Sequence, residues 1–136
     1  MKKRNLLAAG LMILSLLALS GCKKEETVYL GLNAEIIEID MENQTLCVKD
    51  LDESGVFGEE CEIDCREAIE KHQVIYCNYE THDVKAISWK DLQAGDEIIL
   101  ELSETEVAKI AEGAMAKTNQ IQLGTQRLNG SLEISA

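Results

Sequence analysis

Hydrophobic and polar positions alternate along most of the chain from Ala34 onward. Ala34-Glu35-Ile36-Ile37-Glu38-Ile39-Asp40 predicts a strand, Met41 to Gln44 a polar turn, and Thr45-Leu46-Cys47-Val48-Lys49 the returning strand of a hairpin. Asp50 to Gly58 is acidic, carries two glycines and predicts a loop, after which Cys61-Glu62-Ile63 closes a third strand. Asp64 followed by Glu67 has the spacing of a capping box, and predicts a short helix over 65–71. Gln73 to Tyr79 and Val84 to Trp89 predict a second hairpin about a polar turn. Asp91 to Asp96 predicts a tight turn at Gly95 with Leu92 tucked beneath it, and Ile98-Ile99-Leu100 continues as a strand. Ser103 with Glu106 repeats the capping-box spacing, Val107, Ile110 and Ala111 share one helical face, and Gly113 stands where a helix ends. Gln120-Ile121-Gln122-Leu123 is a last short strand. Ile37, Ile39, Val48, Ile63, Ile87, Leu92, Ile98, Leu100 and Ile121 occupy the apolar side of these elements and are expected in the core.

The first residues follow another pattern. Lys2, Lys3 and Arg4 precede an apolar run from Leu6 to Leu19, which is shorter than the roughly 20 residues a bilayer-spanning helix needs. The run ends in Leu19-Ser20-Gly21-Cys22. Cationic start, apolar run and a Leu-small-small-Cys box together resemble the signal of bacterial lipoproteins. That resemblance implies a signal peptide over 1–21, cleavage after Gly21, lipidation (palmitate among the acyl groups) of the Cys22 thiol, and a chain held on the cell membrane facing outside the cytoplasm. Residues 22–28 would be a short tether, 29–124 the folded domain and 125–136 a polar C-terminal tail.

Composition sharpens this picture. Aromatic residues are only 4% of a chain that is 46% hydrophobic, so the core must be aliphatic. The formal charge is −12, and loss of residues 1–21 with their three cations makes it −15. Nucleic acid is thereby excluded as an expected partner, since phosphate binding needs clustered cations. Short strands with a helix after the third, and Asp91-Leu92-x-x-Gly95-Asp96-x-Ile98 opening a strand, resemble the OB-like barrel of small bacterial lipoproteins. The fold this implies is mainly β: a small OB-like antiparallel β-barrel with one or two short helices, behind an N-terminal signal helix.

Four cysteines remain in the domain: Cys47, Cys61, Cys65 and Cys77. Outside the cytosol they could pair as two disulfides, or remain as buried free thiols. Cys61-x₃-Cys65, His72, Cys77 and His82 supply zinc-ligand types, although no Cys-x₂-Cys knuckle exists. A nucleophilic Cys–His pair would need a cationic pocket that so acidic a chain does not favour. Asp50, Asp52 and Ser54 fall at the alternate positions of a calcium loop with Gly55 at its turn, but Cys61 stands where the bidentate acid belongs. Tyr76, Tyr79 and Trp89 lie on adjacent predicted strands and form a candidate ligand face or part of the core. No catalytic triad order or nucleotide-binding glycine loop occurs. The expected function is a lipid-anchored binding or interaction module without catalysis or cofactor, partnered by an envelope protein or small ligand. The alternative is a metal- or thiol-dependent envelope protein built on Cys61, Cys65, Cys77 and the two histidines.

Overall fold

The computed structural model describes residues 27–129, so the signal segment, Cys22 and most of the tether lie outside the described residues. The chain order is β1 (Tyr29–Asp40), β2 (Thr45–Asp50), β3 (Cys61–Asp64), α1 (Arg66–Glu70), β4 (Val74–Cys77), β5 (Val84–Ala86), a 3₁₀ turn (Trp89–Asp91), β6 (Glu97–Ser103), α2 (Glu104–Ala111), β7 (Ala116–Lys117) and β8 (Gln120–Leu123). The protein is mainly β, with two short helices.

β1 is longer than its alternating pattern predicts and serves two partners. Its first half pairs antiparallel with β6, Tyr29 opposite Ser103 and Ala34 opposite Ile98. Its second half pairs antiparallel with β2, Asp40 opposite Thr45. The hydrogen-bonded order is β5-β4-β8-β6-β1-β2-β3-β7. β7 and β8 belong to one stretch of chain, which first runs parallel to β3, Ile63 opposite Ala116, and then antiparallel to β6, Leu100 opposite Ile121. Thr118 is the pivot between the two pairings. Its backbone N–H donates to Asp64 O at 3.1 Å, the next N–H, of Asn119, donates to Glu101 O at 3.0 Å, and its buried hydroxyl lies 2.8 Å from Glu101 O. The sheet thus closes on itself through this stretch and makes a small OB-like barrel. The expectation of an all-antiparallel barrel is corrected at two places, because β3–β7 and β4–β8 are parallel.

Leu32, Ala34, Ile36, Leu46, Val48, Ile63, Ile98, Leu100, Leu102, Ile121 and Leu123 fill the interior as one cluster. Of the expected core, Ile39 and Ile87 are only partly buried and Ile37 is exposed. A β-bulge explains Ile37. Ile36 pairs with Val48 and Glu38 with Cys47, so Ile37 is the extra residue of the bulge. A bulge leaves that residue unpaired and reverses the in–out phase after it.

The helix starts also differ from expectation. α1 has no side-chain cap, because Asp64 accepts from the backbone and guanidinium of Arg66 while Glu67 turns to Lys71 and Lys117. Ser103 does accept from Glu106 N at 3.3 Å, but the Glu106 carboxylate holds Lys117 N and Lys109 instead of closing a box. A complete capping box occurs at Ser88 and Asp91, where Trp89 leaves the predicted strand and enters the 3₁₀ turn. Leu92 is buried beneath the turn and Gly95 adopts φ +93°. Beyond Leu123 the segment expected as a polar tail packs on the barrel as far as Asn129. Gln126 bridges Cys77 O and Tyr79 N, Asn129 accepts from the Tyr76 hydroxyl, and Arg127 reaches Asp96.

Candidate functional site

The residues proposed as metal ligands are spread over the fold. Cys61 opens β3, Cys65 is buried at the start of α1, and Cys77 ends β4. His72 and His82 are exposed in turns at positive φ, +58° and +67°. Among the described residues no three His, Cys, Asp or Glu side chains converge as a metal site. All four domain thiols are free. Burial is the main cause that pushes Cys47, Cys61 and Cys65 above the ordinary thiol range, reinforced at Cys47 by Glu60, Glu38 and Glu62. Such thiols are protonated at neutral pH and poor nucleophiles.

The acidic loop uses most of its oxygens on itself and on β1, and Asp52 Oδ1 is buried without a partner. Asp50 Oδ1 accepts from Phe57 N at 3.1 Å, and Oδ2 accepts from Gly58 N at 3.1 Å. Asp52 Oδ2 accepts from the backbone and side-chain amides of Asn33. Ser54 points its hydroxyl at Asp50 and accepts from Val56 N. The three expected calcium ligands therefore organise the loop and do not share a centre. The aromatic trio is likewise divided. Tyr76 and Trp89 are core residues, the Trp89 indole N–H buried without a partner, whereas Tyr79 is half exposed. Tyr79 lines a small hollow of about 210 Å³ with Asn33, Leu51, Glu97 and Gly124.

Two larger clefts flank the β2–β3 ladder. One, of about 450 Å³, lies between the acidic loop and the end of α2. Val56, Phe57, Cys61, Ile110, Ala114 and Met115 line it, and Glu60 and Glu62 stand at its rim. Asp50 fixes this cleft: by drawing the Phe57 and Gly58 amides inward it drives the Phe57 ring to 3% exposure. Gly113, at φ +84°, turns the chain out of α2 so that Ala114 and Met115 form the opposite wall. Sequence reasoning read these residues as loop and helix end. The signal available was the apolar pair Val56-Phe57 inside an otherwise acidic loop. The second cleft, of about 520 Å³, is lined by Glu38, Ile39, Asp40, Met41, Glu42, Thr45, Cys47 and Glu62. Asp40 is engaged in the hairpin turn, where Asn43 lowers its carboxyl below the usual range.

The described surface has few cations free to meet an anion. Lys49, Arg66, Lys71, Lys109, Lys117 and Arg127 are each paired with a carboxylate. Arg127 also forms the one deeply placed ion pair among the described residues, a two-pronged contact on Asp96 at 2.9 and 2.6 Å. Sequence reasoning placed Arg127 in the tail and missed it.

Fold and clefts define the class: a small, mainly β, OB-like barrel with open grooves beside its second and third strands. No family model matches the chain, and no curated protein does. Among solved structures, a Cu(II)-bound variant of Escherichia coli CusF, residues 10–88, is similar at a TM-score of 0.42 and 9% identity, over 76% of this chain and 100% of that one. A likeness so low carries no argument about ligand or activity.

Proposed function

We propose that this chain is a lipid-anchored binding module, held on the cell membrane outside the cytoplasm and without catalytic activity. The Leu19-Ser20-Gly21-Cys22 box supports the anchor. The observation that carries the binding role is the 450 Å³ cleft in which Val56, Phe57, Ile110, Ala114 and Met115 stand beside Glu60 and Glu62 in a mixed lining. Its apolar side chains favour an apolar group by the area they take from water. Glu60 and Glu62 favour positive charge at the mouth and repel an anion. The ligand class that follows is an apolar group carrying a cation, on a small molecule or a protein side chain. Cys61 reports on occupancy, because it lines the cleft and a ligand seated there covers it.

The test uses a lipophilic cationic dye and an anionic dye of the same apolar body. The cation is expected to bind saturably and to slow Cys61 alkylation, read by peptide mass, several-fold. Met115→Lys is expected to abolish both effects. Equal binding of the anion, or binding that leaves Cys61 alkylation unchanged, would overturn the assignment of this cleft.

A further inference from the structure

The foot of β1 leaves three consecutive apolar residues exposed, Val28, Tyr29 and Leu30, at 48%, 49% and 38%. Leu30 is in phase with buried Leu32 and Ala34, Tyr29 is on the opposite face, and the exposed feature is therefore the end of the strand on both its sides. Large apolar side chains exposed in a row mark a contact surface more often than isolated ones do. Here β1 pairs only on its β6 side, because its pairing with β2 begins at Ala34. The partner must be named from what adjoins this patch. Four residues, Lys23 to Glu26, separate Cys22 from Thr27, so the five Cα–Cα steps span at most about 18 Å even when fully extended. A folded domain of this size has a radius of gyration of about 13 Å and hence a width well beyond that tether. With acyl chains on Cys22, the end of β1 carrying Val28–Leu30 is held within that distance of the lipid.

Charge agrees with that orientation. Lys71 lies within electrostatic range of the Tyr29 phenol, and Lys71 and Lys117 share Glu67 at 2.9 and 3.7 Å. Glu104, whose N–H donates to Val28 O, is the acid beside the patch, so the neighbourhood is mixed in sign. The acidic cleft formed by Glu38, Asp40 and Glu42 opens at the other end of β1. A mixed, apolar, tyrosine-bearing patch suits the headgroup boundary of a zwitterionic bilayer, where aromatic residues with a polar tip concentrate.

We propose that Val28, Tyr29 and Leu30 make this end of β1 a membrane-contact edge, with which the domain lies against the lipid surface while the acidic cleft at the other end of β1 remains open to solvent. This rests on the lipid-anchor reading.

The experiment takes the full purified lipoprotein into phosphatidylcholine vesicles that contain a diazirine-bearing phospholipid, and maps the adducts by peptide mass. The mass of the Cys22 peptide tests the anchor separately: an unmodified Cys22 refutes the anchor reading, and the contact edge with it. With Cys22 acylated, adducts are expected on 28–30 and not on the peptides holding Tyr79, Val84 or Met115. Ten Gly-Ser residues inserted between Glu26 and Thr27 remove enforced proximity. Labelling of 28–30 is expected to persist in that variant, and to fall several-fold when Tyr29→Glu and Leu30→Glu are added to it. Loss of labelling on lengthening alone, adducts concentrated on Tyr79 or Val84, or crosslinks between two copies through residues 28–31 would each overturn the contact edge. A several-fold gain on replacing phosphatidylcholine by phosphatidylglycerol would also overturn it, since it would assign the contact to the lysines.

Discussion

Arg127→Leu removes the guanidinium that faces the Asp96 carboxylate. In the folded chain Asp96 Oδ1 accepts from Arg127 Nε at 2.9 Å, and Oδ2 accepts from Arg127 Nη2 at 2.6 Å and from Gln93 N at 2.8 Å. The Asp96 side chain is 4% exposed and the Arg127 side chain 25%. Removing one partner of a fully buried pair costs about 3–5 kcal/mol, because the other charge is left without compensation. Arg127 lies at the surface side of this pair, so water can reach part of the vacated space, and the expected cost is about 2–4 kcal/mol. In a domain of this size that corresponds to a fall in Tm of about 10–20 °C. Asp96→Asn keeps an acceptor for Gln93 N but turns an amide toward the guanidinium, and is expected to cost about 1–3 kcal/mol. The assay is urea unfolding of wild type, both single variants and the double variant. The double variant should lose less than the sum of the singles, by a coupling of about 1–3 kcal/mol. A coupling below about 0.5 kcal/mol would show that solvent screens the pair as it does an exposed one, and would refute the reasoning.

Alkaline pH should destabilise the domain through its thiols. Burial raises the Cys65 thiol in the folded state, so the folded chain keeps that proton after the unfolded chain has lost it. Stability is therefore full below the unfolded thiol pKa of about 8.5 and declines above it, by about 1.4 kcal/mol per pH unit for one such group. Cys65→Ala should flatten the slope of unfolding free energy between about pH 9 and pH 11 by that amount; an unchanged slope would reject the assignment. Leu92→Ala truncates a side chain that is 2% exposed, and equilibrium unfolding should register a loss of about 2–5 kcal/mol. Asp50→Ala frees the Phe57 and Gly58 amides, should cost about 1–2 kcal/mol, and should speed Cys61 alkylation several-fold as the cleft wall loosens.

The hairpin of β1 and β2, the turn at Gly95 and the inward pair Ile121 and Leu123 were legible because each follows from local alternation or turn chemistry. Ile37 was not, since a bulge is decided by which residue of β2 stands opposite, and one strand's pattern is silent about that. The lower half of β1 escaped for a related reason: Tyr29 to Asn33 are strand because β6, far along the chain, pairs with them, Tyr29 opposite Ser103 and Asn33 opposite Ile99. Local reading also over-assigned helix caps. Glu67 and Glu106 have the right spacing, but Glu67 turns to the ammonium groups of Lys71 and Lys117, and Glu106 to the Lys109 ammonium and the Lys117 backbone N–H. As for the cleft, the acidic loop was visible as a loop. Its apolar lining comes from Ile110 and Met115, which only the closed barrel brings opposite Phe57.

The way the barrel closes also fixes an order of events. β3 and β6 each wait for the stretch Ala116–Leu123, which follows both in the chain. Until that stretch is in place, the chain can hold the β1–β2 hairpin and its β3 extension, but no sealed interior. Pairings this distant in sequence make folding slow relative to helical proteins, in milliseconds to seconds. A chain cut short before Ala116 would keep two unpaired strand edges beside exposed leucines and isoleucines, the condition under which aggregation outruns folding. Thr118, with both its backbone and its hydroxyl committed at the pivot, is the residue whose arrival ends that exposure.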